Sequence, residues 1–115
     1  MQTVPSIVTR YYELLEIGEA EHVAMLYTAD AEIVRYDGCA STPEQVVQYF
    51  RQHLAAYPGL QLKSIEQVRL ADDVLMWDAM LDSELGLLQT VDVAILDNDG
   101  LIRRHIPGLR GFWGG

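Results

Sequence analysis

At 115 residues, half of them hydrophobic, the chain has the length of one domain and can bury a packed core. Eight basic against seventeen acidic residues give a net charge of −9, which disfavours nucleic acid and anionic membranes as partners. A single cysteine, Cys39, excludes an internal disulfide framework. Since the sequence shows neither a signal-peptide pattern nor a membrane-length apolar run, we expect residues 1–115 to form one cytoplasmic domain.

The first third of the chain predicts two helices and a strand. An apolar stripe at helical spacing begins near Val4 and ends at Gly18, which predicts the first helix. A shorter helix is predicted from about Glu19 to Tyr27. The following AEIVRYDG is predicted to be a strand that ends in a turn at its Asp-Gly pair.

A third helix and four strands are predicted for the remainder. The segment STPEQVVQYFRQHLAAYPG opens on an N-cap candidate, Ser41 or Thr42, followed by Pro43, and closes at Pro58-Gly59. Strand character and intervening turn signals then mark LQLKSIEQVRLA, DVLMWDAMLD, LLQTVDVAIL and LIRRHIPGL. Helices followed by strands predict an α+β fold, with the helices packed on one face of an antiparallel sheet.

The last predicted hairpin brings Asp92 and His105 together. If residues 97–100 form a four-residue loop, Leu96 pairs with Leu101, and counting back along both strands places Asp92 directly opposite His105. A slip of one residue would turn the two side chains to opposite faces. Both faces of this hairpin are largely apolar, which predicts helices on one side of the sheet and a second subunit on the other.

Two further charges interrupt apolar strands. Asp78 is the only charge in VLMWDAML, and a three-residue loop before the next strand would set it across from Asp92, whereas a two-residue loop would turn it away. A carboxylate at such a position must be paired or solvated to stay ionised. Arg35 is either a solvated edge residue or the counter-charge of an aspartate-lined cavity. If Arg35 and Asp78 form an ion pair, the pair is either functional or purely structural.

The order of these motifs resembles one known superfamily. The stretches RYYELLEIGEAEHVAMLYTADAEIVRYDG, PEQVVQYFRQHLAAYPGLQL and DNDGLIRRHIPG are similar to the nuclear-transport-factor-2-like, or SnoaL-like, superfamily. The resemblance covers nearly the whole chain. It implies a strongly curved antiparallel sheet wrapped around three helices, a conical cavity that takes a small hydrophobic molecule, and a homodimer joined through the outer face of the sheet.

Within that superfamily, the resemblance to ketosteroid isomerase implies roles for individual residues. Tyr11 and Asp92 fall on the tyrosine and the aspartic acid that donate hydrogen bonds to a developing enolate. The position of the base falls on Arg35, which stays charged and cannot accept a proton near neutral pH. His105 and Asp78 fall on cavity-facing strand positions. The expected catalytic residues are therefore Tyr11, Asp78, Asp92 and His105.

Other side chains are candidates for contact with the substrate. Each of them could instead lie in the core, at the rim of the cavity or on a dimer surface. The Asp92–His105 pair likewise has two interpretations, a ligand-facing dyad or a buried hydrogen-bonded pair. The expected substrate-binding residues are Arg35, Tyr27, Tyr49, Phe50, His53, Met76 and Trp113, the last as a cap on the cavity.

The sequence therefore favours an acid–base enzyme of ketosteroid isomerase or SnoaL cyclase type, acting on a small hydrophobic carbonyl or epoxide compound. No zinc-ligand spacing, phosphate-binding loop or nucleophile elbow is present, so neither a metal nor another cofactor is expected. Limonene-type epoxide hydrolases are a further alternative, because Asp78, Arg35 and Asp92 supply the residue types of their aspartate–arginine–aspartate set. A non-catalytic module that binds a small ligand or a protein is the alternative from a different class.

Overall fold

A computed structural model describes residues 3–114. Its three helices are α1 (Ser6–Ile17), α2 (Ala20–Ala24) and α3 (Pro43–Ala56). The strands are β1 (Tyr27–Arg35), β2 (Gly38–Ala40), β3 (Gln61–Ala71), β4 (Val74–Ser83), β5 (Gly86–Leu96) and β6 (Ile102–Gly114). They form one curved sheet in the order β2-β1-β6-β5-β4-β3, with the helices packed on its inner face. The predicted α+β fold is confirmed.

The structure differs from the sequence prediction at the amino-terminal side of the sheet. Helix α2 ends at Ala24, and β1 already begins at Tyr27, so this tyrosine is a buried strand residue. The predicted turn after β1 continues into the short strand β2. The sheet is not wholly antiparallel, because β1 lies parallel to β6 with Ile33 opposite His105. These strands are far apart in sequence, and a long crossover connection imposes no antiparallel pairing on them.

Local sequence signals explain where the two long helices begin and end. Helix α1 follows Pro5 and stops at Gly18, whose left-handed backbone (φ +83°) lets its N–H reach the carbonyl oxygens of Leu14 and Leu15. The threonine of the two N-cap candidates, Thr42, caps α3 by accepting a hydrogen bond from the backbone N–H of Gln45. The apolar stripe of each helix packs in the core against the sheet.

The β5–β6 hairpin contains two irregularities that compensate for each other. Leu96 pairs with Ile102, so the loop has five residues rather than four, and a bulge at Arg103 adds one more residue to β6. The total shift of two residues places Ala94, not Asp92, opposite His105. The predicted direct pairing is therefore wrong. The predicted shared face is correct, because a shift of two residues preserves the side of the sheet.

The β4–β5 hairpin turns Asp78 away from Asp92. Ser83 pairs with Gly86 across a two-residue loop, which sets Trp77 opposite Asp92 and Asp78 opposite Val91. Successive side chains of a strand point to opposite faces, so Trp77 lies on the inner face and Asp78 on the outer face. The alternative with a three-residue loop, in which Asp78 faced Asp92, is wrong.

The two faces of the sheet differ in what covers them. The inner face and the helices enclose a core that includes Ile33, Phe50 and Leu75, all with essentially no exposed surface. On the outer face Met76 and Ile106 are nearly half exposed. No helix within residues 3–114 is long and apolar enough to cross a membrane, and the cytoplasmic location stays a prediction.

Candidate active site

A cavity of about 350 Å³ lies between the helices and the inner face of the sheet. Helix α1 supplies part of its wall through two adjacent tyrosines, because the helical spacing of Val8, Tyr11, Tyr12 and Leu15 puts all four on the buried side. Alternate residues of β5 supply another part. The polar lining residues are Tyr11, Tyr12, Arg35, Tyr49, Gln52, His53, Tyr57, Thr90 and Asp92. The apolar ones are Leu15, Ala56, Leu81, Leu88, Pro107, Gly108 and Leu109.

Asp92 is the one carboxylate that residues 3–114 contribute to the cavity lining. The residue is only 4% exposed, and its Oδ2 lies 2.6 Å from Nε2 of His105. Among residues 3–114 this is the only side-chain hydrogen bond that the carboxylate makes. Asp92 therefore has a fixed orientation and remains available to a molecule in the cavity.

His105 lies behind Asp92 and does not line the cavity. It has no exposed surface, its Nδ1 is 2.6 Å from the hydroxyl oxygen of Tyr27, and the ring of Trp77 stacks on it at 5.7 Å between centroids. A carboxylate only accepts hydrogen bonds, so Nε2–H donates to Asp92, and a neutral imidazole then accepts the Tyr27 hydroxyl at Nδ1. Tyr27, His105 and Asp92 thus form one chain of hydrogen bonds that ends at the cavity.

The tyrosines of the wall are hydrogen-bond donors at neutral pH. Burial, with smaller contributions from Tyr27 and Asp92, raises the pKa of Tyr11 well above its ordinary range. Burial likewise raises the pKa of Tyr12 and of Tyr49. The Tyr12 hydroxyl accepts a hydrogen bond from Nε1 of Trp77 at 2.7 Å. No side-chain hydrogen bond engages the Tyr11 or Tyr49 hydroxyl within the described part of the chain.

His53 contributes a neutral imidazole to the α3 side of the cavity. Its ring lies parallel to that of Tyr49, with 5.9 Å between centroids, and meets Tyr57 edge-on at 5.4 Å. Burial lowers the pKa of His53; Asp92 opposes this shift, whereas His105 and Arg35 add to it. A neutral ring can accept a proton or a hydrogen bond from a bound molecule.

Arg35 lies at the mouth of the cavity. Its guanidinium carbon is 4.8 Å from the centroid of the Tyr49 ring, and its Nε is 3.6 Å from a carboxylate oxygen of Asp37. The side chain is 36% exposed. Arg35 makes no salt bridge with Asp92 or Asp78.

Several residues expected in the cavity lie elsewhere. Asp78 and Met76 are on the outer face, where Oδ2 of Asp78 accepts a hydrogen bond from Nη1 of Arg110 at 3.1 Å. Trp113 is also on the outer face, with its ring over Gly111, because its neighbour Phe112 takes the inner position opposite Leu88. The prediction that Trp113 caps the cavity is therefore wrong. On the inner face, the ring centroid of Phe112 lies 6.2 Å from that of the lining residue Tyr57.

Two other expected wall residues, Tyr27 and Phe50, are buried in the core behind the wall. The aspartate–arginine–aspartate set of the epoxide hydrolase alternative is not assembled, because Asp78 is on the opposite face of the sheet from Asp92. Tyr12, Gln52 and Thr90 also line the cavity and were not among the site residues predicted from sequence. The helical stripe of α1 signals Tyr12, and strand alternation with Asp92 signals Thr90, whereas no pattern distinguishes Gln52 from an exposed residue.

Comparison with known proteins supports the fold. No protein-family model matches the chain, and no curated protein matches it closely enough to count as a relative. Solved structures do match. A Catenulispora acidiphila protein with a ketosteroid isomerase-like fold, in complex with trimethylamine, is 15% identical with a TM-score of 0.78, over 91% of this chain and 85% of its own.

Two further structures give the same result. A Sinorhizobium meliloti protein, provisionally called a polyketide cyclase, is 11% identical with a TM-score of 0.76, over 90% of this chain and 94% of its own. An Agrobacterium tumefaciens protein, provisionally called an isomerase of the SnoaL-like family, is 15% identical with a TM-score of 0.76, over 92% and 96%. The chain therefore has the ketosteroid isomerase-like, or SnoaL-like, fold. A shared fold at such identities does not specify an activity.

Proposed function

We propose that the cavity binds a small, largely apolar carbonyl compound and that Asp92 moves a proton at the carbon next to the carbonyl group. The observation that carries this proposal is the buried carboxylate of Asp92, fixed by His105 at 2.6 Å, in a cavity where the hydroxyls of Tyr11 and Tyr49 have no side-chain hydrogen-bond partner among residues 3–114. A positioned carboxylate and a hydrogen-bond donor for the developing oxyanion are the two groups that enolisation requires.

The reaction is an isomerisation without net oxidation. Asp92 takes a proton from the α-carbon of a β,γ-unsaturated ketone, and the electron pair of the broken C–H bond moves towards the carbonyl oxygen. The Tyr11 hydroxyl donates a hydrogen bond to this oxyanion. Asp92 then returns the proton to the γ-carbon, which gives the conjugated ketone and restores the carboxylate. This assignment makes Asp92 the base rather than the hydrogen-bond donor expected from the sequence.

His105 acts in this proposal as a positioning residue. It holds Asp92 through Nε2 and is itself held by Tyr27 through Nδ1, so the carboxylate cannot rotate freely. His53 is a second proton acceptor on the opposite wall, since burial keeps it neutral.

The test is the conversion of a β,γ-unsaturated cyclic ketone to its conjugated isomer, followed by ultraviolet absorbance, with deuterium uptake from D₂O followed by mass spectrometry. We expect Asp92→Asn to lower the rate by about 100-fold or more and Tyr11→Phe to lower it by a similar factor. The matched control is Asp78→Asn, which removes a buried carboxylate from the other face of the same sheet. Undiminished isomerisation in Asp92→Asn would refute the proposal.

A second candidate is a binding module without catalysis. Tyrosine rings around a carboxylate also suit a small ammonium ion, and one structural neighbour is a complex with trimethylamine. Titration with tetramethylammonium, followed by NMR of the cavity residues, tests this function. Binding of this ion together with no turnover of any ketone would favour it over the enzyme.

We also propose that the outer face of the sheet joins two copies of the chain. It presents apolar side chains, among them Met76, Val91, Val93 and Ile106, and the Oδ1 of Asp78 is buried without a partner among residues 3–114. A second subunit would cover the apolar surface and supply a donor to Asp78. In sedimentation experiments we expect a dimer that Ile106→Arg converts to a monomer, while Leu85→Arg at the β4–β5 hairpin leaves it intact. A monomeric wild-type chain would refute this proposal.

A further inference from the structure

Among residues 3–114, Arg35 is the only cationic side chain in the cavity lining, since His53 is kept neutral. Its guanidinium packs over the Tyr49 ring at 4.8 Å, which holds it at the mouth. Its one charged neighbour is Asp37, whose side chain is 76% exposed and lies 3.6 Å from Nε. A pair this exposed contributes little and leaves the planar edge of the guanidinium open to another partner.

The charge balance of the molecule makes this single cation in the cavity lining a guide to the charge of the ligand. The chain carries a net charge of −9, and Asp92 adds a negative charge inside the cavity. Within the cavity an anionic ligand is repelled by Asp92 and attracted by Arg35, and a cation at the mouth of an aspartate-containing cavity does not help a neutral ligand to bind. Arginine matches the two oxygens of a carboxylate with parallel N–H donors.

We infer that the substrate is a hydrophobic keto acid whose carboxylate is bound by Arg35 at the mouth, while its carbonyl end reaches Tyr11 and Asp92. This inference rests on the proposed function for the carbonyl end of the molecule. The tyrosine-lined space between the two ends takes the apolar body. A cavity of about 350 Å³ is at the small end of ligand sites and suits a compound of one or two rings.

The test compares two probes of the same shape and different charge, 3-phenylpropanoate and 3-phenylpropanamide. Their affinities are measured by NMR titration of the cavity residues. We expect the wild-type chain to bind the carboxylate at least about tenfold more tightly than the amide. Arg35→Gln should remove this preference, and Arg35→Lys should restore part of it, because lysine keeps the charge without the planar pair of donors.

The control variant is Arg51→Gln. Arg51 is also an exposed arginine, but it is on α3, where it pairs with Glu21 and does not line the cavity. It should leave the preference for the carboxylate unchanged. Equal affinity of the wild-type chain for the two probes would overturn the inference, and so would a preference that survives Arg35→Gln. Tighter binding of 3-phenylpropylammonium than of the carboxylate would also overturn it.

The outcomes separate this inference from the proposed function. Asp92→Asn should abolish proton transfer and keep the preference for the carboxylate, since Arg35 is unchanged. Suppose that isomerisation depends on Asp92, but the preference for the carboxylate probe does not depend on Arg35. This result refutes only the inference that the substrate is a keto acid. If the preference for the carboxylate probe depends on Arg35 but the chain transfers no proton, the proposed enzymatic function is refuted. The anion-binding site at Arg35 then still stands.

Discussion

At the scale of single residues, the fully buried His105 is hydrogen-bonded at both ring nitrogens. Asp92 accepts from Nε2, and Tyr27 donates to Nδ1, so one neutral tautomer satisfies all three groups. A buried polar group is costly only when its partner is missing, and here each partner is provided by a different strand: β1, β5 and β6. The three strands are therefore joined by side chains as well as by backbone hydrogen bonds.

The tautomer of His105 is directly testable. The geometry requires the proton at Nε2 in the neutral ring, because Asp92 cannot donate while it is ionised. We expect ¹⁵N NMR of the imidazole to show a protonated Nε2 and an unprotonated Nδ1. Asp92→Asn should weaken this preference, because the amide can donate as well as accept. A proton found at Nδ1 in the wild-type chain would contradict the order of donors described above.

The contribution of the same hydrogen bonds to stability is a second test. Tyr27→Phe removes the donor to Nδ1 and should lower the free energy of unfolding by about 1–2 kcal/mol. His105→Leu leaves both Tyr27 and Asp92 without their partner and should lower it by about 3 kcal/mol or more. Urea denaturation measures both changes. Tyr36→Phe, at a fully exposed tyrosine, is the control, and a loss in Tyr27→Phe no larger than in this control would count against the network.

At the scale of elements, helix α3 carries His53 and Tyr49 to the cavity, and its start is determined by one side chain. The Oγ1 of Thr42 accepts the backbone N–H of Gln45 at 3.2 Å, and Pro43 occupies the first turn. Thr42→Ala should therefore lower the free energy of unfolding by about 1 kcal/mol, as measured by urea denaturation. Ser41→Ala, one residue earlier, makes no such cap and should change the stability by less than half as much. Equal losses would show that Thr42 does not act as the cap.

The β4–β5 hairpin depends on the absence of a side chain at Gly86. This glycine has φ +142°, and a Cβ there would lie 2.3 Å from the carbonyl oxygen of Trp113. Gly100 also has a positive φ, of +81°, but a Cβ there would meet nothing within 4 Å. Gly100→Ala should cost about 1 kcal/mol from backbone conformation alone, and Gly86→Ala clearly more, because the collision is with backbone. Equal losses in thermal unfolding would contradict this account.

At the scale of the whole molecule, burying His53 links stability to pH. Burial lowers the pKa of His53 below its ordinary 6.5, so the unfolded chain binds this proton more readily than the folded chain. The stability that depends on neutral His53 is fully present above about pH 6.5 and is lost as the pH falls towards the folded-state pKa. The groups that act on the ring from neighbouring elements are Asp92 and His105 on the sheet and Arg35 at the mouth.

Replacing the imidazole should remove this dependence. We expect the free energy of unfolding of His53→Gln to fall less steeply than that of the wild-type chain when the pH is lowered from 7 to 5, as measured by urea denaturation at each pH. Tyr49→Phe alters the same wall without removing a group that titrates in this range and should keep the wild-type slope. A wild-type slope in His53→Gln would show that this proton is bound equally in both states.

The α+β plan and the three helices were predictable from sequence, because the spacing of apolar residues records which side of a helix is buried. Asp92 and His105 were placed on one face by counting back along both strands from a predicted four-residue loop, and the shared face is correct although the loop has five residues. The two additional residues, one in the loop and one in the bulge at Arg103, preserved the face.

Only the tertiary structure decided which strands pair, in which register they pair, and therefore on which face of the sheet certain side chains lie. The parallel contact of β1 with β6 puts Tyr27 behind His105, and no local pattern signals it. The two-residue β4–β5 loop puts Asp78 on the outer face, and the register of β6 against β5 puts Trp113 there as well. Periodicity is a property of neighbouring residues, whereas register and strand order depend on which packed arrangement of the whole chain is most stable.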